Sequence, residues 1–350
     1  MTSNAPPRTA LVADIGGTHA RFALSDVEEM TITHFAALRT NAFGTIGEAI
    51  AAYYRSIPYR PAMASLAVAG PVTGDRVALS NAAWSFTRAE VAEATGTDRV
   101  HLVNDFAALA RVLPFLTEHD LHTVPGGRRD SGSPRLVIGA GTGFGAALLV
   151  PTTGDPIAVG GEGGHATFGA ADAAERVVLN YLERSEDGHV SVERVLSGRG
   201  LEAIHSALTG PAKRIPAATI VAHAHSGDAE AIHAVRSFAR ILARIAGDWA
   251  LLTGARGGVY LAGGIAPRIL PWLDGAFRTA FEGKGRMTDW LRDVPVSVVM
   301  APDAGLRGAA LAASDAFEPG KRSKAPEIRY GASSATASAS ATAAPIASAA

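Results

Sequence analysis

Asp14, Gly16, Gly17 and Thr18 stand together in LVADIGGTHARFAL, where one apolar run stops and another begins. Those residue types at that spacing suit phosphate chemistry. Successive backbone N–H groups can converge on an anion, glycine lets the ligand approach the chain, and the threonine hydroxyl adds a donor. A carboxylate at Asp14 can hold Mg²⁺ directly or through water, because the ion prefers carboxylate and phosphate oxygens. The plain alternative is a tight turn in which glycine supplies a positive φ. The same device recurs in LVIGAGTGFGAALLV, where Thr142 lies between Gly141 and Gly143. A third glycine pair, Gly263-Gly264, follows VYLA and precedes a helical pattern. It can lie against the adenosine half of a nucleotide, or it can be an ordinary strand-to-helix turn.

Two better-known glycine motifs fail. No lysine follows either turn, so the phosphate loop ending in Gly-Lys-Ser/Thr is absent. The dinucleotide fingerprint needs a helix after its glycines, whereas HARFAL and GFGAALLV read as strands. Asn104 and Asp105 raise a second chemistry. They close the run VHLVND just ahead of the helical pattern FAALARVLPFL. Both types are favoured as caps. The same place keeps a carboxylate ionised by the helix N-terminus, a proton acceptor of the kind phosphoryl transfer asks for.

The elements that must carry these residues are legible in outline. ALVADI and HARFAL form a hairpin at Gly16-Gly17. A helix over 45–57, a strand over 64–72, a strand over 100–105 and a helix over 106–116 follow. A Gly-, Arg- and Ser-rich stretch around Pro125 to Pro134 marks the crossing into a second region. That region holds the second hairpin (136–150), a long helix from about Asp228 to Thr253 with Gly254 as C-cap, and a strand over 259–265. A helix over 267–281, a strand over 294–301 and a last helix over 304–317 complete it. Two similar glycine-threonine hairpins hint at two related halves. The expected division is a short N-terminal segment (1–8), a small α/β domain (9–115 plus 302–317), a large α/β domain (116–301) and a tail (318–350). The tail is built almost wholly of Ala, Ser and Thr over its last twenty residues. With so little apolar area to offset its ordering entropy, it reads as disordered.

Bulk properties narrow the function. The 350 residues suffice for about two domains. Thirty-two basic residues nearly cancel 33 acidic ones for a net charge of −1, so no global field favours nucleic acid or an acidic membrane. Cysteine is absent, which removes disulfides, thiolate metal sites and a cysteine nucleophile. The N-terminus lacks a secretory apolar core, and no uncharged apolar run approaches the roughly 20 residues of a membrane helix. A cytoplasmic location is expected.

Taken in order, ADIGGTHARFAL, LVNDFAALA, GAGTGFGAALL, GGEGGHATFG, VSVERVLSGRGL and VYLAGGIAPRIL resemble bacterial glucokinases. These belong to the hexokinase-like branch of the actin-type ATPase fold, which is ribonuclease H-like. The resemblance runs over about residues 10 to 316. The related repressor/ORF/kinase group carries a cysteine-rich zinc loop that this chain cannot build, so the likeness is to the zinc-free glucokinases. It implies a two-domain fold with a cleft between domains, and ATP and Mg²⁺ as cofactors. Transfer of the γ-phosphoryl group to the 6-hydroxyl of D-glucose follows, the entry step of glycolysis, in a homodimer. A kinase for fructose, mannose or an amino sugar, and a non-catalytic sugar sensor, are the competing readings. Balanced charge and the lack of a helix-turn-helix pattern before residue 10 weigh against DNA binding.

By resemblance, Asp105 is the catalytic base and Asn104 contacts a sugar hydroxyl. Glu162, His165 and Glu193 join them at the sugar. Carboxylates can accept from two hydroxyls, and an imidazole can accept or donate. The spacing of Glu162 and His165 also permits a metal, but no third ligand is near in sequence and glycines flank both. Ala13, Asp14, Ile15, Gly16, Gly17 and Thr18 of the first hairpin are assigned to the nucleotide. So are Gly141, Thr142 and Gly143 of the second, and Gly263 and Gly264 of the third loop. Asp14 faces the metal. Closure over the sugar would exclude water as a competing acceptor. Asn81 and Trp84 are expected on a loop with a supporting sugar contact. His223, His225 and His233 read as surface or core-edge histidines, and the Trp249 stripe of the long helix reads as core.

Overall fold

Near-continuous apolar runs make buried central strands. TALVADI forms β1 (Thr9–Ile15), and HARFALSD returns antiparallel to it as β2 (His19–Asp26). The computed structural model describes residues 8–79, 83–185, 188–210, 215–318 and 325–329. β3 (Thr31–Arg39) pairs antiparallel with β2, and β4 (Met63–Val68) runs parallel to β1. β5 (Arg76–Ala78) and β6 (Ser85–Thr87) form a separate two-stranded ribbon. β7 (Val100–Asn104) lies beside β4. The second sheet holds β8 (Leu121–Val124), β9 (Arg135–Ala140), β10 (Phe144–Val150), β11 (Ile157–Gly161), β12 (Val259–Ala262) and β13 (Val296–Val299). Its order is β11-β10-β9-β12-β13-β8. β9 to β11 form an antiparallel meander, and β12 runs parallel to β9. The first sheet repeats that plan as β3-β2-β1-β4. The two hairpins seen in the sequence are thus equivalent corners of two like sheets.

Helices are α1 (Ile46–Tyr54), α2 (Arg88–Thr95), α3 (Asp105–Val112), α4 (Ala173–Ser185), α5 (Val192–Val195) and α6 (Gly198–Thr209). There follow α7 (Ala217–His225), α8 (Ala229–Thr253), α9 (Gly275–Glu282), α10 (Thr288–Arg292) and α11 (Ala304–Phe317). The chain divides into two compact units. One ends at Val103 and resumes at Ala309; the other runs from Asn104 to Gly308. Each has its own core: Leu11, Phe22, Leu66 and Tyr53 are central to the first, and Ile138, Phe238, Leu261 and Phe277 to the second. No helix among the described residues is long and apolar enough to cross a membrane.

Capping signals located the helix ends well. The Asp228 side chain accepts from Ala231 N at 2.8 Å, and Gly254 ends α8 with φ 64°. Elsewhere the structure corrects the sequence. The helix expected over 267–281 is broken into two 3₁₀ turns, Ala266–Arg268 and Leu270–Trp272, before α9 begins behind its Asp274 cap. Pro267 and Pro271 each lack the N–H an α-helix interior needs and clash with the preceding turn, so each starts a new short turn. The tail expected to be disordered from residue 318 is not uniformly so. β14 (Glu327–Ile328) adds a parallel edge to β3, with Glu327 N donating to Met30 O at 2.9 Å and Arg329 N to Ile32 O at 2.8 Å. The Ala/Ser stretch beyond it lies outside the described residues.

Two edge hydrogen bonds contribute on the order of 1–3 kcal/mol together. A chain cut after residue 324 should therefore melt a few degrees below one cut after residue 329, and differential scanning calorimetry would register the gap.

Candidate active site

Two bare backbone positions decide where Asp105 sits. Gly139 of β9 and Gly145 of β10 face each other across the second hairpin. The Phe106 ring lies on them: a Cβ built at Gly139 would come within 2.7 Å of the ring, and one at Gly145 would overlap it. Phe106 is the second residue of α3, so this contact fixes the helix N-terminus against the hairpin. Asn104 caps that helix, its Oδ1 accepting from Ala107 N at 3.0 Å. Its Nδ2 donates to Asp105 Oδ1 at 3.2 Å, and Phe106 N donates to the same oxygen at 2.9 Å. The cap and the candidate base are therefore one hydrogen-bonded unit, which joins the two readings that the sequence left open.

Glu162 and His165 stand on a turn after β11. Both side chains are about half exposed, and His165 Nε2 lies 3.8 Å from Glu162 Oε2. Gly164 between them is buried against the Phe144 carbonyl, where any Cβ would collide. The Phe144 N–H in turn donates to Glu193 Oε2 at 2.8 Å. Val192 N donates to Ala166 O at 2.9 Å, which ties the Glu193 segment to the Glu162–His165 turn. Gly160 lies close to Asn104, its Cβ position 3.2 Å from the Asn104 Oδ1. The second unit thus gathers Asn104, Asp105, Glu162, His165 and Glu193 around one end of the β9–β10 hairpin. Among the described residues, no group of three or more His, Asp or Glu side chains is arranged to hold a metal.

The glycine turns are built without left-handed residues at Gly16 or Gly141. A Cβ at either would sit at ordinary contact distance, 3.5 Å from His19 O at Gly16 and 3.9 Å from Gly264 N at Gly141, so neither the backbone nor its packing demands glycine there. Each first amide is spent on the turn: Gly16 N donates to His19 O at 2.9 Å, and Gly141 N to Gly143 O at 2.8 Å. The first turn is braced by Thr40, whose hydroxyl donates to Gly16 O at 2.9 Å and whose N–H donates to Thr18 O at 3.1 Å. Gly263 does need its freedom, with φ 81° and a Cβ position overlapping Ala140 O. It brings Gly264 beside Gly141, and Gly198 N closes the other side onto Gly141 O at 2.9 Å. Ala13 and Ile15 are buried backbone of β1.

Asp14 has a partner the sequence did not suggest. Arg21, directly across the hairpin, donates from Nη1 to Asp14 Oδ2 at 3.0 Å. The pair is partly exposed and stabilises by roughly 1 kcal/mol or less. Its effect is to orient the carboxylate. The residues fit a magnesium ion in its usual sparse style, one carboxylate plus waters and phosphate oxygens. With Oδ2 engaged, Asp14 would hold the ion through Oδ1 or a water. Nearby His19 titrates below its ordinary value, through burial first and then the charges of Arg21 and Arg39.

Other expectations fared unevenly. Trp84 is buried, and its Nε1 donates to Phe43 O at 3.0 Å, which makes it a core residue. Asn81 lies outside the described residues. His225 bonds Arg268 O at 2.8 Å and packs on Trp272, a structural role. His223 and His233 are exposed.

Two like sheets in one chain, each with a glycine-threonine corner, and an Asn-Asp helix cap beside one of them, define an actin-type ATPase fold. The glucokinase family model matches residues 11–316. A glucokinase of Chromohalobacter salexigens is 41% identical over 308 residues, covering 86% of this chain and 96% of its own. One from Ralstonia nicotianae is 39% identical over 332 residues, covering 89% and 96%. A crystal structure of a glucokinase from an Antarctic psychrotroph superposes with TM-score 0.74 at 34% identity, covering 88% of this chain and 99% of that one. The chain belongs to the glucokinase family.

Gly145→Ala should push the Phe106 ring off its seat and destabilise the protein by about 1–3 kcal/mol, as overpacking does. In a Phe106→Ala background the ring that the added methyl would overlap is gone, so the same substitution should cost clearly less. Thermal melts of the four-variant cycle check this.

Proposed function

We propose that the chain transfers the γ-phosphoryl group of ATP to the 6-hydroxyl of D-glucose, giving glucose 6-phosphate and ADP. One observation carries most of the reading. Residue Phe144 follows the Thr142 turn directly, its N–H is held by Glu193 at 2.8 Å, and its carbonyl packs under the Glu162–His165 turn. A phosphate-type corner and a set of hydroxyl-binding side chains are thereby fixed to each other through a single residue. Family membership points to the same reaction.

In this reading Glu162, His165, Glu193 and Asn104 take the sugar hydroxyls and turn the 6-hydroxyl toward Asp105. Thr18 and Thr142, with the neighbouring tip amides, take phosphate oxygens, and Gly263-Gly264 lie against the nucleoside. Asp105 accepts the hydroxyl proton as the new O–P bond forms and the bond from the γ-phosphorus to the β,γ-bridging oxygen breaks. ADP is the leaving group. A Mg²⁺ ion at Asp14, when bound, supplies neutralisation of charge on the β- and γ-phosphate oxygens. Arg21 fixes the carboxylate that would hold it. A homodimer and a cytoplasmic setting complete the reading, on family likeness and on a cysteine-free chain suited to a reducing compartment.

A coupled ADP-release assay with and without glucose tests the reaction; glucose-independent release, or a rate higher with fructose, mannose or an amino sugar, would overturn it. Asp105→Ala should lower kcat at least ~100-fold while glucose still binds, the usual cost of losing a general base. Glu162→Gln should weaken glucose binding by about tenfold or more in calorimetry, because a site built around hydroxyls is left with unpaired groups.

A further inference from the structure

The two exposed side chains of the sugar turn, Glu162 and His165, are held in place by almost nothing of their own. Their mutual separation of 3.8 Å is the one ion-pair contact either makes among the described residues, and it is charged only when the imidazole is protonated. Hydroxyl recognition needs such groups placed within about half an ångström, so the backbone beneath them must supply the order. That backbone rests on α8. The Trp249 ring, half-buried, abuts Gly163 between the two side chains: a Cβ there would stand 2.8 Å from Trp249 Cη2. The indole also packs edge-on against Phe144, with centroids 5.6 Å apart. The far end of the loop is held by Arg244, just over one helical turn earlier. Its Nη2 donates to Gly169 O at 2.8 Å, and its guanidinium lies 5.4 Å from the buried Phe168 ring.

α8 is itself stiffly held at this point. Glu175 is 1% exposed and receives Arg244 Nη2 at 2.9 Å and Nε at 3.2 Å. The neighbouring Arg240 bonds Asp172, and that hydrogen bond holds the Asp172 carboxyl below the usual range. Asp248 bridges Arg244 at 3.3 Å and Lys284 Nζ at 2.6 Å. Gly247, between them in register, lets the Phe281 carbonyl of α9 press against the helix. Glu175 is the buried centre of this network, and the bonds that converge on its carboxylate restrict the geometry there, while Arg240, Asp172 and Asp248 are partly exposed.

We infer that Trp249 and Arg244 are positioning residues for sugar recognition: α8 acts as a template that sets the Glu162–His165 turn, and Trp249 reports on its occupation. The inference rests on the reading of Glu162 and His165 as sugar contacts. It assigns a role in the reaction to a helix face whose apolar spacing alone reads as core.

The test compares Trp249→Ala, Trp249→Phe and Arg244→Lys with the parent chain. Trp249→Ala should raise KM for glucose about tenfold or more and leave KM for ATP within about twofold. Trp249→Phe keeps an aromatic ring under Gly163 and should recover most of the loss. Arg244→Lys keeps the charge but not the fork that spans Glu175 and Gly169, so it should raise KM for glucose selectively as well. Glucose titration should change the tryptophan emission of the parent and not that of Trp249→Phe, although Trp84, Trp272 and Trp290 remain. An unchanged KM for glucose in Trp249→Ala, or equal rises in both KM values, would overturn the inference while leaving the kinase reading intact. Should Trp249→Ala not fold, an undiminished emission change in Trp249→Phe overturns it equally. A parent chain with no glucose-dependent ADP release would remove the reaction itself, and the inference with it.

Discussion

Aromatic rings lying on side-chain-free backbone hold the candidate site of the second unit together. Phe106 on Gly139 and Gly145 fixes the start of α3, and Trp249 against Gly163 braces the Glu162–His165 turn. Both rings meet the β9–β10 hairpin or what rests on it. Sheet hairpins buried on one face are stiff, and ring-to-backbone contacts at van der Waals distance have little slack, because interiors are packed as densely as organic crystals. Placement of Asp105 relative to Glu193 and the Thr142 turn therefore follows from steric contact more than from any attraction among the polar groups themselves. The ion pair and hydrogen bonds tune orientation within a frame that packing has already set.

The two sheets show how one scaffold carries two different corners. In each, the residue pair just inside the turn occupies the same register. In the first unit that pair is Asp14 and Arg21, with Ile15 and Ala20 closing the hairpin. In the second it is Gly139 and Gly145, with Ala140 and Phe144 closing it. A charged pair orients a carboxylate at one corner. A bare pair admits Phe106, and with it Asp105, at the other. The hairpins are alike in strand order and in their glycine-threonine tips, and they differ at this cross-strand pair as well as at the closing pair.

Much of this was legible in the residues, and the reasons for the rest are physical. Strands such as TALVADI announce themselves by continuous apolarity, and caps such as Asp228, Asn104 and Gly254 act over a few residues, so short-range rules find them. Arg21 and Thr40 escaped because each acts through a cross-strand or long-range bond that no local pattern encodes. β14 escaped because two residues of edge pairing leave no periodic signal in the polar stretch KRSKAPEIRY. The stretch over 267–281 looks helical by hydrophobic spacing, yet two prolines overrule spacing by removing donors. Trp249 was legible as part of the core stripe; the ring is only half-buried against that core, and spacing is silent about what it presses on. Phe106 is the instructive case. Sequence shows it as one apolar residue after Asp105; only the pairing of Gly139 with Gly145 reveals that its ring has a purpose-built seat.

The same physics explains why residue types name a sugar kinase more readily than they name the sugar. Two hexose epimers differ by the orientation of one hydroxyl, a displacement of an ångström or two. Glu162, His165 and Glu193 would bind hydroxyls of either, since a carboxylate accepts from any well-placed donor. Discrimination needs those acceptors held so that the wrong epimer leaves one of them unpaired, at a cost of about 1–3 kcal/mol for each buried group. Whether the cost is levied depends on how rigidly the turn is held. That rigidity is supplied by Gly164 under Phe144 and by the α8 face beneath Gly163 and Gly169. On the proposed reading, selectivity for one hexose would rest on packing several residues removed from any hydroxyl, in the Trp249 ring that abuts Gly163.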